Sequence, residues 1–339
     1  MKIIGAWNFY EELSYNNYLF IHSDAPIGDG LLKPFNNLYT FGKKNNLDFV
    51  TLDMVKDFNE VCTFLFFDFP NMNNPYVKQA FSTQIPKYLF IFESALIRPD
   101  NWDLKKHKHF DKIFTWNDDF VDNKKYFKFN FAQNIPNSIS KDLEKKTKLC
   151  TLIAGNKKVN HPLELYSKRV EAIKWFEKNH PQNFEFYGIG WDQYTHSNKY
   201  VKYLLNKTKL SALFKPDFKS YRGKIDSKKE VLENYRFAIC YENARDIPGY
   251  ITEKIFDCFF AGCVPIYWGA DNITNFIPKE CFIDKREFDS YEELYKYMSN
   301  MSEEEYLKYH QNIEIFLNSE EAYLFSSECF TKTIIGNIV

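Results

Sequence analysis

The chain has 339 residues, 45% of them hydrophobic, with 44 Lys and Arg against 45 Asp and Glu for a net charge of −1. That balance is that of a folded protein and excludes wholesale disorder. With only 12 Gly and 13 Pro it also excludes collagen-like or low-complexity architecture, and the near-zero charge excludes a global field that recruits nucleic acid or an anionic membrane.

At roughly 100–200 residues per domain, two domains are expected. The opening run Met1-Lys-Ile-Ile-Gly-Ala-Trp7 breaks into polar sequence at Asn8 and Glu11, too soon for a signal-peptide core. Strands are predicted over 2–7, 48–53, 63–69, 88–92, 112–116 and 126–131. Near-continuous apolar runs such as Thr63-Phe-Leu-Phe-Phe67 fit strands buried on both faces of a parallel sheet. Between Ile135 and Lys148 the chain turns polar, with Pro136, Asn137, Ser138 and lysines at 145, 146 and 148, and this stretch is the linker candidate.

A second alternating series follows. It comprises strand 149–154, helix 163–179, strand 184–188, a basic segment over 199–229, strand 237–241, helix 250–261, and strands 264–268 and 281–284. Helices over 291–298 and 302–317 and a last segment after Glu320 close the chain. Strand–helix alternation on both sides of a polar linker implies two doubly wound α/β domains, with ligands expected at the carboxyl ends of the strands. The expected division is a first domain over 1–147, a second over 148–317, and a C-terminal helical segment over 318–339 packing back on the first.

No run of 18 apolar residues occurs, so no membrane-spanning helix is expected. The seven cysteines are odd in number and scattered, without a C-x-x-C pair, which favours a reducing compartment and no structural zinc. A cytoplasmic protein is expected, with peripheral contact to a membrane left open.

Three segments carry candidate chemistry. From Phe237 to Gly269 an apolar strand leads through a polar loop ending at Pro248-Gly249 into a helix that Gly262 closes. The helix N-terminus there favours an anion. Lys254, in the first turn, is badly placed for the dipole, which points to an outside anion as its partner. The alternative is an ordinary helix with solvated Glu253 and Lys254. In Tyr221-Arg-Gly-Lys224 an Arg beside Gly offers a donor fork where backbone approaches a phosphate, against the alternative of a solvated basic turn. Glu93, in Phe90-Ile-Phe-Glu-Ser-Ala-Leu-Ile-Arg-Pro99, lies where a buried strand runs out and can act as a base, against the alternative of a loop carboxylate paired with Arg98. Asp68, at the end of a neighbouring apolar strand, is the rival base. No Asp-x-Asp, G-x-x-x-x-G-K or G-x-G-x-x-G occurs, and His107-Lys-His109 lacks further ligands nearby.

Taken together these segments resemble one family, the α1,3/4-fucosyltransferases of glycosyltransferase family 10. The resemblance is carried by Phe237-Ala-Ile-Cys-Tyr-Glu-Asn243, Tyr250-Ile-Thr-Glu-Lys254 and Ala261-Gly-Cys-Val-Pro-Ile-Tyr-Trp-Gly269. Phe276-Ile-Pro, Phe282-Ile-Asp, Tyr187-Gly-Ile-Gly-Trp191 and Phe92-Glu-Ser94 extend it over most of residues 86–290. The first 85 residues resemble nothing usable.

The resemblance implies an α/β GT-B fold, with two Rossmann-like domains facing a central cleft, and an inverting transferase using GDP-fucose on a glycan acceptor. By the same resemblance Arg222, Tyr250 and Lys254 would hold the diphosphate and Glu253 the ribose. Asn243, Asn156 and Arg169 would complete the pocket, with Lys224, Glu242 and Thr252 among the donor-binding positions, and Glu93 would be the general base. Without Asp-x-Asp no cofactor is required, and Mn²⁺ or Mg²⁺ would at most stimulate. The alternatives are a relative with another donor sugar, or a non-catalytic glycan- or nucleotide-binding module. Against the family pattern the sequence lacks a membrane anchor with stem, heptad repeats and a basic amphipathic tail. Arg245-Asp-Ile-Pro248 lengthens the loop before Tyr250.

Overall fold

The computed structural model describes residues 1–23, 30–140, 142–193, 200, 203–204, 207 and 217–338. The predicted basic segment therefore lies outside the described residues for most of its course before Asp217. Contacts divide the chain into two compact units, one of residues 1–135, 248–250 and 320–339, the other of residues 136–247 and 251–319.

The first unit is built on a six-stranded parallel sheet in the order β2-β1-β3-β4-β5-β6. Its strands are β1 (Lys2–Asn8), β2 (Leu47–Thr51), β3 (Val61–Phe67), β4 (Lys87–Ile91), β5 (Lys112–Thr115) and β6 (Tyr126–Lys128). The apolar runs form its centre because both faces are covered: Trp7, Phe64, Phe66, Leu89 and Ile113 have no exposed surface. Helix α1 (Lys33–Lys44) and helix α2 (Pro75–Ser82) flank the sheet. Helix α2 starts where it does because Asn74 accepts from the amides of Tyr76 and Val77 and Pro75 needs no donor. The C-terminal helix Ser327–Ile338 joins this unit, with Phe330 edge-on to Phe35 of α1 at 5.6 Å and the Ser327 amide donating to Gln133 O at 2.9 Å. Because β1 is followed by β2 on one side and β3 on the other, the order reverses between β1 and β3. A ligand crevice is expected outside their carboxyl ends.

The second unit holds a five-stranded parallel sheet in the order β11-β10-β9-β7-β8. The strands are β7 (Lys148–Ile153), β8 (Phe184–Tyr187), β9 (Tyr235–Tyr241), β10 (Val264–Trp268) and β11 (Ile283–Asp284). Helices α3 (Tyr166–Asn179), α4 (Lys228–Leu232), α5 (Glu253–Phe260), α6 (Tyr291–Asn300) and α7 (Glu303–Leu317) accompany it. Here the order reverses between β7 and β9.

Helix α5 ends as the glycine demands: Gly262 is left-handed (φ 59°), its amide donates to Phe259 O, and the Cys263 amide to Cys258 O. Its start differs from the predicted 250. Thr252 is extended, and Tyr250 is buried in the first unit with its ring 4.6 Å from Trp116 and 6.2 Å from Phe131. Burial of the aromatic ring among Trp116 and Phe131 keeps Tyr250 out of the helix.

The predicted linker also carries more than a solvated chain. Lys146 is buried and donates to the carbonyls of Glu233, Tyr235 and Ala261 at 3.1–3.4 Å. Burial lowers its pKa. No helix among the described residues is long and apolar enough to cross a membrane.

Candidate active site

In the second unit the polar residues gather at the carboxyl end of β9, beside the reversal point. Glu242 follows β9 and has no exposed surface. A buried carboxylate needs donors, and the start of α5 supplies them. The Thr252 amide donates to Oε1 at 2.8 Å, the Thr252 hydroxyl to Oε2 at 2.7 Å, and Lys254 Nζ to Oε2 at 3.1 Å. The path of Glu242 requires a glycine opposite it, since a Cβ on Gly269 would lie 2.6 Å from Glu242 Cγ and 2.3 Å from Tyr267 Oη. The ion expected to partner Lys254 from outside thus meets a lysine that Glu242 pairs from within while 23% of its side chain stays exposed, and of the backbone amides at the start of α5 Glu242 takes that of Thr252.

Lys254 also lies 3.5 Å from Glu253, while Lys228 of α4 reaches Asp257 at 2.7 Å and Glu253 at 3.9 Å. Burial pushes Glu253 up, but Lys254 and Lys228 outweigh it and hold the carboxyl down at about 2. Glu253 is thus a pure acceptor at neutral pH, with about a third of its side chain exposed. Lys228 was not singled out by sequence reasoning. Its only signal there is a lysine in the first turn of a short helix.

Arg169, on α3 and 4% exposed, donates through Nη2 to Tyr241 O, Glu242 O and Asn243 Oδ1 at 2.7–3.1 Å. It fixes the end of β9 from which Glu242 projects. Asn156 ties the loops after β7 and β8, its amide donating to Ile189 O and its side chain to Gly190 O.

Arg222 is placed elsewhere. Its Nε donates to Glu185 Oε1 at 2.7 Å, and Glu185 also receives Lys148 and Tyr235, which stand at the amino ends of β7 and β9. The guanidinium is therefore not brought together with Thr252 and Lys254 at the carboxyl end. Lys224 is exposed. Tyr250 belongs to the aromatic cluster of the first unit.

In the first unit Glu93 follows β4. Its backbone amide donates to Asp68 Oδ1 at 3.1 Å, its carbonyl accepts from Trp102 Nε1 at 3.0 Å, and its Oε1 accepts from the Tyr10 hydroxyl at 3.1 Å. Arg98, the alternative partner, stacks on Phe9 at 3.2 Å and donates to Phe69 O. Tyr10 and Phe9 follow β1, and Phe69 follows β3. With Met72, Arg98 and Asp100 they line a cavity of about 760 Å³ at the reversal point of this sheet. Tyr10 escaped the sequence reading because one tyrosine in a polar loop carries no pattern.

Two parallel α/β units, each with its polar residues at the carboxyl ends of its strands, define the GT-B class of glycosyltransferases. The family model of glycosyltransferase family 10 (fucosyltransferase), C-terminal part, matches residues 143–329. That is more than half of the chain, and the chain belongs to this family.

Among relatives, the Helicobacter pylori alpha-(1,3)-fucosyltransferase FucT is 29% identical over 118 residues, covering 32% of this chain and 23% of that protein. An Arabidopsis thaliana alpha-(1,4)-fucosyltransferase is 36% identical over 81 residues, covering 23% and 20%. The matched stretches thus span about a quarter or less of these relatives. Among solved structures, an alpha1,3-fucosyltransferase aligns over 99% of this chain and 89% of its own, with a TM-score of 0.53 at 16% identity. Anabaena HepE in complex with UDP-glucose aligns over 100% and 99%, with a TM-score of 0.56 at 9% identity. At these identities the likeness is one of fold.

Proposed function

We propose that this chain is an inverting α1,3-fucosyltransferase that moves fucose from GDP-fucose to a hydroxyl of N-acetylglucosamine or glucose in a glycan. The observation that carries the reading is the family match over 143–329, which contains the whole Glu242–Thr252–Lys254 arrangement. Relatives named as fucosyltransferases support the sugar, and a structural neighbour described with GDP-fucose supports the donor. Glu253, held ionised, suits a ribose hydroxyl as donor to its carboxylate. Lys254 and the start of α5 supply positive charge for a departing diphosphate. Inversion by a single displacement needs one base on the acceptor hydroxyl, and Glu93 takes that role, joined through the Tyr10 hydroxyl to the lining of a cavity large enough for a sugar. A cytoplasmic setting belongs to the proposal, supported by seven cysteines that are all free thiols.

Incubation with GDP-fucose and simple disaccharides, followed by GDP release and product linkage analysis, tests this. Transfer from another sugar nucleotide with no reaction of GDP-fucose overturns the donor. Nucleotide binding without transfer from any donor would leave a binding module instead. A thermal-shift series over sugar nucleotides identifies the bound base first, because a ligand stabilises by RT ln(1 + [L]/Kd).

A further inference from the structure

Asp68 stands immediately after β3 in a left-handed backbone conformation (φ 63°) and is 4% exposed. Few residues other than glycine adopt that conformation, and such positions cluster where a side chain must be aimed. Here the aim is clear. Asp68 Oδ1 accepts from the Phe92 amide at 2.7 Å, the Glu93 amide at 3.1 Å and Asn101 Nδ2 at 2.6 Å. Asn101, itself without exposed surface, also donates to Glu93 O at 3.2 Å, and its Oδ1 accepts from the Phe69 amide at 2.7 Å. The peptide of Glu93 is held at its N–H by Asp68 and at its carbonyl by Asn101 and Trp102.

We propose that Asp68 is a positioning residue for Glu93, and that its charge tunes the proton affinity of the Glu93 carboxylate without touching substrate. This rests on the reading of Glu93 as the base. A buried anion next to a carboxylate makes the second carboxylate hold a proton more strongly, which strengthens a base. Neutral Asp68 weakens it.

Asp68 itself titrates in the useful range. Burial first, and then the charge of Glu93, raise its carboxyl to about 7 against the lowering by the three hydrogen bonds. The other titratable and charged groups on the surrounding elements include Tyr10, after β1, and Arg98, Asp100, Asp103, Lys105, Lys106 and His107, in the segment after β4. Burial, followed by Glu93, raises Tyr10 far above neutrality. Burial lowers His107, whose ring nitrogens face Tyr126 Oη and Asn101 O.

The test is the pH profile of kcat/KM between pH 5 and 9, with GDP-fucose and a disaccharide, for the wild type, Asp68→Asn, Asn101→Ala and Glu93→Gln. Asp68→Asn keeps an oxygen acceptor for both backbone amides. The wild-type rate is expected to rise through an inflection near pH 7. Asp68→Asn should abolish that inflection and lower the alkaline rate roughly 3–10-fold. Asn101→Ala, which removes a donor to the ionised form, should move the inflection upward. An Asp68→Asn profile superimposable on the wild type overturns the inference, as does an unmoved inflection in Asn101→Ala.

Glu93→Gln separates the two readings. A fully active Glu93→Gln removes the base itself, whereas an inactive Glu93→Gln with an unchanged Asp68→Asn leaves the base and removes only the tuning. Carbon-13 NMR of the aspartate carboxyls needs no turnover. Glu93→Gln should lower the pH at which the Asp68 signal titrates, and an unshifted titration overturns the coupling.

Discussion

Lys254 and Glu242 form an ion pair of 3.1 Å in which the lysine is 23% exposed and the carboxylate not at all. Removing the lysine alone strands a buried charge, although Thr252 still donates twice to it. Lys254→Ala is therefore expected to lose about 1–3 kcal/mol of stability together with donor affinity. The double variant Glu242→Gln/Lys254→Ala should regain most of the urea midpoint yet still bind GDP at least about tenfold more weakly, since a charge-assisted contact is worth roughly 1.5–3 kcal/mol. If calorimetry finds wild-type GDP affinity in the double variant, Lys254 serves Glu242 rather than the donor.

Arg222 separates the resemblance from the structure. Its resemblance-based role is to grip the diphosphate, but its side chain is 43% exposed and its guanidinium is bound to Glu185. Arg222→Ala is expected to cost no more than about 1 kcal/mol and to leave the donor KM within about twofold. A large rise in donor KM with unchanged stability would return Arg222 to the donor site.

Glu185 gives a pH signature. Burial alone would raise it, but hydrogen bonds from Lys148, Tyr235 and Arg222 hold its carboxyl down at about 2. A depressed carboxyl contributes stability above its ordinary value, and that contribution drains away as pH falls from about 4.5 towards 2. The urea midpoints of wild type and Glu185→Gln should therefore differ at pH 7 and converge between pH 4.5 and 2. A difference that stays constant across that window contradicts the assignment.

The strands were legible because their apolar runs are buried on both faces. The predicted 264–268 is β10 as found, and 2–7 falls one residue short of β1. Helix starts were less so. Tyr250 is the predicted start of α5, but its ring is taken by Trp116 and Phe131, a contact far apart in sequence that no local pattern encodes. Site residues divide in the same way. Thr252, Glu253 and Lys254 share one turn and were found together, whereas Lys228, Tyr10 and Asn101 reach their partners only through the fold. The buried Lys146 misled because a lysine cluster usually means a solvated face.

Activity is expected to survive EDTA at half or more of its untreated level. The charge of a leaving diphosphate is met in this proposal by Lys254 and the start of α5, without a bridging cation. Complete loss on chelation, restored by Mn²⁺ at constant ionic strength, would overturn that account.

Glu93→Gln keeps the shape of the side chain, and its amide oxygen still accepts from Tyr10, but it takes up no proton. If Glu93 receives the proton of the acceptor hydroxyl as the bond to the sugar forms, kcat should fall roughly 10²–10⁴-fold. Affinity for GDP-fucose should hardly change, because Glu242, Thr252, Glu253 and Lys254 all belong to the other unit. The fold should also persist, since Asp68, Asn101 and Trp102 hold the backbone of residue 93 and not its carboxylate. The decisive comparison is single-turnover transfer alongside calorimetric GDP binding and a thermal melt. Asp68→Asn is the control, because it leaves the Glu93 carboxylate in place and should retain measurable transfer. A folded Asp68→Asn with no transfer, beside an active Glu93→Gln, would make Asp68 the base despite its burial.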